Sequence, residues 1–338
     1  METSSVLGKQ SLTKQEKIRE VEDCLSQNEV NLWHLRELCL MRGGLMTAEL
    51  RRQAWHLLLG VDADNHIVTS SSSSVNTTAT QSEETKRVED SDIENSFTDD
   101  TELISRDVGR AVYFRYSMTE ATKEQLTSQG AEDYIQSGKT MLTRLIVSTI
   151  ENEADNGQDG RLNYYQGFHD VASVIFVNMT RETELACAIL HKLAASHLRD
   201  AMMQDFTNIS ALLEIVFYPL LQAVDEELHD YLILRELIPS VFLTWMITLF
   251  SHDIHSEQTA SRLFDAIIVS HPLLPLYLTI AILIQPKNRQ KLFNANRSEA
   301  AMMQVVATSL LAGMEYDFQS THDGFTAQDV IECALGVM

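Results

Sequence analysis

Proline is absent from the first 218 residues of this 338-residue chain, and that absence strongly constrains the fold. All five prolines lie at or after Pro219, and the whole sequence holds 13 glycines. Because proline and glycine are the residues least compatible with a helix interior, long segments without them favour helices. No segment alternates apolar and polar residues over the length of a strand, and no repeat has a fixed period. The sequence therefore predicts an all-α protein.

Charge and cysteine usage exclude several classes of protein. A formal net charge of -22 argues against nucleic acid or an anionic membrane as the main partner, because both are polyanions. The four cysteines are far apart and form no CxxC pair, which indicates buried thiols rather than a disulfide framework or a zinc site. The N-terminus lacks a basic start, and the most apolar runs, 241–250 and 273–284, are too short to span a bilayer. We therefore expect a cytoplasmic chain without a membrane span.

Capping signals place the first helices. Thr13 and Glu16 have the spacing of a capping box, a second helix is expected over 30–41, and Thr47 can cap a third over 48–59. We predict N-terminal helices over 1–44 and a helical domain of two lobes over 45–338. With 44% hydrophobic residues, the chain has ample material for such a core.

Residues 62–100 interrupt this pattern. A serine run over 70–74 is followed, from Gln81 to Glu102, by nine acidic residues against two basic ones. Such a polar, acidic stretch buries too little apolar surface to fold, so it predicts a disordered insertion within the domain. The remaining helices are predicted over 119–129, 131–151, 163–177, 182–197, 209–224, 228–237, 239–250, 261–269, 275–284, 298–311 and 327–337.

A polar segment at the start of the central helix is the first candidate for a functional site. Tyr164, Tyr165, Gln166, Gly167 and Asp170 follow a turn-forming loop and precede a nearly continuous apolar run. Buried polar groups need partners, so two tyrosines, an amide and an acid at this place are unlikely to serve packing alone. A capped core helix with a few satisfied polar residues is the alternative reading of this segment.

Two further segments share the pattern of a known family. Arg51, Trp55 and the sequence Leu58-Leu59-Gly60 form the first, and Ile104, Asp107 and Arg110 form the second. With the tyrosine–glutamine segment they resemble, in order, the three signature motifs of the TBC domain, the catalytic domain of Rab GTPase-activating proteins. Any one motif is weak evidence, whereas three in this order are specific. The resemblance runs from about Leu45 to near the end of the chain.

The resemblance implies roles for the motif residues. Arg110 would be an arginine finger and Gln166 a glutamine, both supplied to the active site of a GTP-bound Rab. Arg51, Trp55, Ile104, Asp107, Tyr164, Gly167 and Asp170 would support them, with Arg51 expected to pair with one of the two acids, Asp107 or Asp170. The chain itself would bind no cofactor and no metal, because GTP and Mg²⁺ would arrive with the Rab.

Four sequence segments beyond the motifs resemble one branch of the family: 197–200, 227–230, 243–248 and 271–277. That branch acts on an early secretory Rab and is tethered to the endoplasmic reticulum by a C-terminal membrane anchor. The anchor is not found in this sequence. A longer form that carried it would reside at that membrane, whereas this chain is expected in the cytoplasm.

Two other functions fit parts of the sequence. Four His-Asp dipeptides, beginning at His169, His229, His252 and His322, are compatible with a metal-dependent phosphohydrolase of the HD type. A catalytically silent helical scaffold that binds GTPases is the other alternative, with paired methionines as adaptable contact residues. Bound metal would favour the first, and failure to stimulate any Rab would favour the second.

Overall fold

The computed structural model describes residues 12–61, 90–111, 128–151, 162–180, 182–295, 305–306, 308–318 and 324–338. Within these ranges nearly all regular structure is helical, and the two strands found there have two residues each. The strands, β1 (Met314–Glu315) and β2 (Phe325–Thr326), pair in parallel. The predicted all-α class is confirmed.

The helices are numbered here in chain order within the described residues. They are α1 (Lys14–Leu25), α2 (Leu32–Leu40), α3 (Ala48–Leu59), α4 (Asp90–Gly109), α5 (Ser128–Glu151), α6 (Phe168–Asn178), α7 (Thr183–Ala195), α8 (Thr207–Val224), α9 (Glu226–Leu234), α10 (Leu243–Thr248), α11 (Glu257–Val269), α12 (Leu274–Leu283), α13 (Pro286–Asn294) and α14 (Ala327–Val337), with a 3₁₀ turn at Pro239–Phe242 before α10.

Local capping explains where several helices begin. The Thr13 hydroxyl accepts from the backbone N–H of Glu16, whose carboxylate accepts in return from the Thr13 N–H, so the predicted capping box of α1 is confirmed. Thr47 caps α3 through the N–H of Leu50, and Gly60 ends that helix in the left-handed conformation. These predictions succeeded because each cap involves residues within one helical turn.

Helix α6 lies at the centre of the molecule, and all eleven of its residues are buried. It packs against α3, α4 and α5, which precede it in the chain, and against α7, α10 and α11, which follow it. A helix that is apolar on every face is stable only when neighbours surround it. The residues that lead into α6 therefore lie where both halves of the chain meet.

Two sequence-based assignments differ from the structure. The helix expected over 239–250 is broken into a 3₁₀ turn and α10, and ends at Thr248. Helix α13, which starts with Pro286 at its first position, was not predicted.

Several predictions fall on residues that the structure does not describe. They are the insertion over 62–89, most of the helix over 119–129 and most of that over 298–311. Among the described residues, α8 is long and apolar enough by length and composition to cross a membrane, as is the bent pair of α9 with 239–248. Core helices of soluble proteins pass the same test, so this is weak evidence for a span.

Candidate functional site

A buried hydrogen bond joins two of the three motif segments. Asp107, near the end of α4, is 1% exposed, and its Oδ2 accepts from the hydroxyl of Tyr164 at 2.9 Å. Tyr164 belongs to the segment that leads into α6, 57 residues further along the chain. Burial, and then the neighbouring Asp107 carboxylate, raise the pKa of Tyr164, so the phenol keeps the proton that it donates. The bond fixes the end of α4 to the start of α6.

Arg110 lies at the surface beside this bond. Its guanidinium is 60% exposed and pairs through Nη2 with Oδ1 of Asp107, one helical turn earlier. Helix α4 ends at Gly109, whose carbonyl oxygen accepts from the ammonium group of Lys139 at 2.5 Å. The backbone N–H of Arg110 donates to the Asp107 carbonyl at 2.9 Å. An exposed arginine is thus held at a helix end by a buried acid.

Gln166 occupies an exposed turn whose neighbours are tied down on both sides. The backbone N–H of Asn163 donates to the Met202 carbonyl at 2.9 Å, and the Tyr165 hydroxyl donates to the Ile247 carbonyl at 2.6 Å. Tyr165 is buried and its ring contacts that of Phe168. The backbone that carries Gln166 is therefore fixed, while its side chain faces solvent.

Gly167 allows this turn to close onto α6. Its φ of +111° is a conformation that side chains disfavour, and a Cβ atom at this position would lie 2.9 Å from the Thr248 methyl group of α10. Glycine is required on both grounds. Asp170, which is 4% exposed, follows in the first turn of α6, and its N–H donates to the Gly167 carbonyl at 3.0 Å.

His252 is a site residue that sequence reasoning placed only within a candidate metal dipeptide. Its Nδ1 lies 2.8 Å from Oδ2 of Asp170, although the two residues are 82 positions apart. Nε2 of His169 lies 3.4 Å from the other oxygen of Asp170, and Nδ1 of His169 lies 3.5 Å from the Tyr164 hydroxyl. No local spacing in the sequence indicates the contact between His252 and Asp170.

The expected partner of Arg51 was wrong. Arg51 does not pair with Asp107 or Asp170: its Nε and Nη2 both lie 3.0 Å from oxygens of Asp265, on α11. Both members are buried, at 4% and 0% side-chain exposure. The pairing was not predictable because 214 residues separate the two positions.

Trp55 and Ile104 are internal. The Trp55 indole is fully buried, donates to Oδ1 of Asp265 at 3.0 Å and lies beside the Phe264 ring. Ile104 is 1% exposed on the core side of α4. The first motif thus packs around the buried Asp265, whereas the second and third are joined below the surface by the Asp107–Tyr164 hydrogen bond.

The His-Asp dipeptides do not form a metal centre in the described part of the chain. His169-Asp170 and His252-Asp253 come together, but as hydrogen-bonded pairs, and no group of three or more His, Cys, Asp or Glu residues there could hold a metal ion. His229 instead pairs with its own neighbour Asp230 at 2.9 Å. The dipeptide at His322 lies outside the described residues.

Comparison with known proteins gives one family throughout. Residues 48–293 match the profile of the Rab-GTPase-TBC domain. The human protein TBC1 domain family member 20 is 28% identical over 272 residues, covering 80% of this chain and 57% of that protein. The GTPase-activating protein gyp10 of Schizosaccharomyces pombe is 29% identical over 146 residues, covering 43% of this chain and 37% of that protein. The chain thus spans less than two thirds of the length of these relatives.

A solved structure shares the fold. The Ypt/Rab-GAP domain of Gyp1p superposes with a TM-score of 0.62 at 14% identity, covering 96% of this chain and 98% of that one. At this identity the likeness concerns the fold alone. It agrees with the all-helical architecture built around α6.

Proposed function

Because this chain belongs to the Rab-GTPase-TBC domain family, we propose that it accelerates GTP hydrolysis by a Rab-type small GTPase. The observation that carries the proposal is the Asp107–Tyr164 hydrogen bond. It joins the segment of Arg110 to the segment of Gln166, while both of these side chains remain exposed. The hydrogen bond thus connects two exposed side chains, an arginine and a glutamine, of the types that can act on GTP in the active site of a partner GTPase.

Arg110 is proposed to stabilise charge in the transition state. Hydrolysis of GTP develops negative charge on the γ-phosphoryl oxygens and on the bridging oxygen. A guanidinium is always ionised and presents a planar fork of donors that fits phosphate oxygens. An arginine supplied in this way is worth roughly 10³–10⁵ in rate.

Gln166 is proposed to orient the attacking water. A carboxamide carries an acceptor and two donors, so one glutamine can accept from water while it donates to the γ-phosphate. The fixed backbone on either side of Gln166 supports this role, because the group that orients the water must itself be held in place. GTP and Mg²⁺ would be brought by the Rab, and the chain would contribute only protein side chains.

Single-turnover GTP hydrolysis across a panel of Rabs tests the proposal. The wild type should stimulate at least one Rab, with an early secretory Rab as the first choice. Arg110→Ala should raise the barrier by about 4–7 kcal/mol, and Arg110→Lys should restore little because an ammonium lacks the planar fork. Gln166→Ala should also be severely impaired, even toward a Rab that keeps its own glutamine.

Arg52→Ala is the matched control. Arg52 pairs with Glu49 one turn earlier on α3, as Arg110 pairs with Asp107, and it also pairs with Glu182. It lies outside the two segments that the Asp107–Tyr164 hydrogen bond connects. It should keep wild-type stimulation, and circular dichroism should show every variant folded. Folded Arg110→Ala with full stimulation would remove the finger assignment. Wild-type protein that stimulates no Rab would instead favour the silent scaffold.

A further inference from the structure

The chain makes a strained corner directly beside the candidate site. After α10 ends at Thr248, Leu249 and Phe250 adopt φ values of +50° and +67°. Neither residue is a type that favours the left-handed region, so the corner costs free energy and persists only because its surroundings impose it. Both side chains are buried, and the Phe250 ring packs on Trp245. Backbone strain of this kind is concentrated at functional sites.

The corner presents His252 to Asp170. The His252 side chain is 55% exposed, yet its Nδ1 lies 2.8 Å from an oxygen of Asp170, whose side chain is only 6% exposed. The other oxygen of Asp170 faces His169. A buried carboxylate is costly unless it is hydrogen-bonded and its charge is compensated. His252 supplies both from the C-terminal half of the chain.

The charges around His252 favour its imidazolium form. Asp170 and His169 face it from α6, Asp253 adjoins it in the same loop, and Arg110 lies near it at the end of α4. The hydrogen bond to Asp170 raises the pKa of His252 against the opposing effects of burial and Arg110. Burial lowers the pKa of His169, so His252 is the histidine of this pair that holds a proton more readily.

We infer that His252 is a positioning residue of the candidate site, acting on Gln166 through Asp170. Asp170 lies in the first turn of α6, and Gly167, whose carbonyl accepts its N–H, directly follows Gln166. Loss of the His252 contact leaves the Asp170 carboxylate poorly compensated and frees the first turn of α6 to shift. The inference rests on the proposed function, and it adds a residue that lies outside all three motifs.

His252→Ala and His252→Gln test the inference in single-turnover hydrolysis at increasing concentrations of the full chain. His252→Ala should lower the maximal rate roughly ten- to a hundredfold, the effect of misplacing a catalytic group by about an ångström. The half-saturating concentration should stay within about twofold, because His252 is not proposed to touch the Rab. His252→Gln keeps a donor without the charge, so it should recover part of the rate.

The pH profile separates positioning by charge from simple packing. A histidine whose pKa is raised by its partner gives up its proton as pH rises above the ordinary value of about 6.5. Stimulation by the wild type, corrected for the Rab's own hydrolysis, should therefore fall as pH rises through the elevated pKa of His252. The His252→Gln protein should lack this fall. If the pH profile of His252→Gln were identical to that of the wild type, the charge of His252 would have no role in positioning.

His229→Gln is the control, because it removes a His–Asp contact of 2.9 Å whose carboxylate is 71% exposed. It should leave the rate and the profile unchanged. NMR titration of His252 in the wild type and in Asp170→Asn gives a readout independent of hydrolysis, and the pKa of His252 should fall in the variant. An unchanged pKa, or folded His252→Ala with the wild-type maximal rate, overturns the inference. Absence of stimulation by the wild type would instead reject the proposed function, while the NMR result would still decide the His252–Asp170 contact.

Discussion

Asp265→Asn probes the buried contacts of the first motif. The Asp265 carboxylate is fully buried and accepts from Arg51, from the Trp55 indole and from the backbone N–H of Leu45 at 3.0 Å. Gly44 approaches it so closely that a Cβ atom there would lie 2.4 Å from its Oδ2. The substitution keeps the shape of the side chain but removes its charge and turns one acceptor into a donor.

The magnitude follows from what the substitution leaves behind. Arg51 keeps its charge at 4% side-chain exposure, with Asn178 Oδ1 at 3.5 Å as its remaining hydrogen-bond acceptor among the described residues. Removing one partner of a buried ion pair costs about 3–5 kcal/mol, because the other charge stays buried without compensation. Total stabilities are typically about 5–15 kcal/mol, so Asp265→Asn should lose a large fraction of the free energy of unfolding.

Thermal unfolding followed by circular dichroism measures this loss. We expect the Tm of Asp265→Asn to fall by roughly 4–10 °C relative to the wild type, because a chain of this size shifts by about 2 °C or less per kcal/mol. Glu49→Gln is the control, because it removes one of the two acidic partners of Arg52 in a pair that is 29% and 54% exposed, while Glu182 remains. Exposed pairs are worth about 0–1 kcal/mol, so the control should shift Tm little. Equal shifts for the two variants would refute the argument from burial.

Three further substitutions test separate contacts. Trp55→Ala should cost about 3–5 kcal/mol and lower Tm, because the indole is fully buried; lost stimulation with unchanged Tm would instead place Trp55 in the contact with the Rab. Gly167→Ala should lower both Tm and stimulation, since the methyl group would meet Thr248 at 2.9 Å in a left-handed backbone; wild-type values in both assays would contradict this. Tyr164→Phe deprives Asp107 of a donor and should cost about 1–3 kcal/mol, with reduced stimulation by a folded protein as the expected result.

Local features of the fold were predictable from the sequence. The caps at Thr13 and Thr47 and the glycine after α3 act over three or four residues, so their residue types alone determine the hydrogen bonds. The all-α class follows from the distribution of proline and glycine.

Contacts between distant segments were not predictable. The motif pattern identified Arg51 and both candidate acids, but Asp265 belongs to none of the three motifs and lies 214 residues from Arg51. The contact between His252 and Asp170 depends on a corner in which Leu249 and Phe250 are left-handed, a conformation that their residue types disfavour. Sequence reasoning fails at such places because the surrounding fold overrides local preference.

The two motif arginines are held in ways that suit opposite tasks. Arg51 is buried and bidentate, and its departure would leave the buried Asp265 carboxylate without its charged partner. Arg110 is exposed and contacts Asp107, which also accepts from Tyr164 at 2.9 Å. If Arg110 moves to a phosphate oxygen, Oδ1 of Asp107 loses its donor while Oδ2 keeps the Tyr164 hydroxyl, so the buried carboxylate stays partly satisfied. Tyr164 thereby lowers the cost of releasing Arg110, as the proposed finger requires if it is to leave Asp107 during hydrolysis.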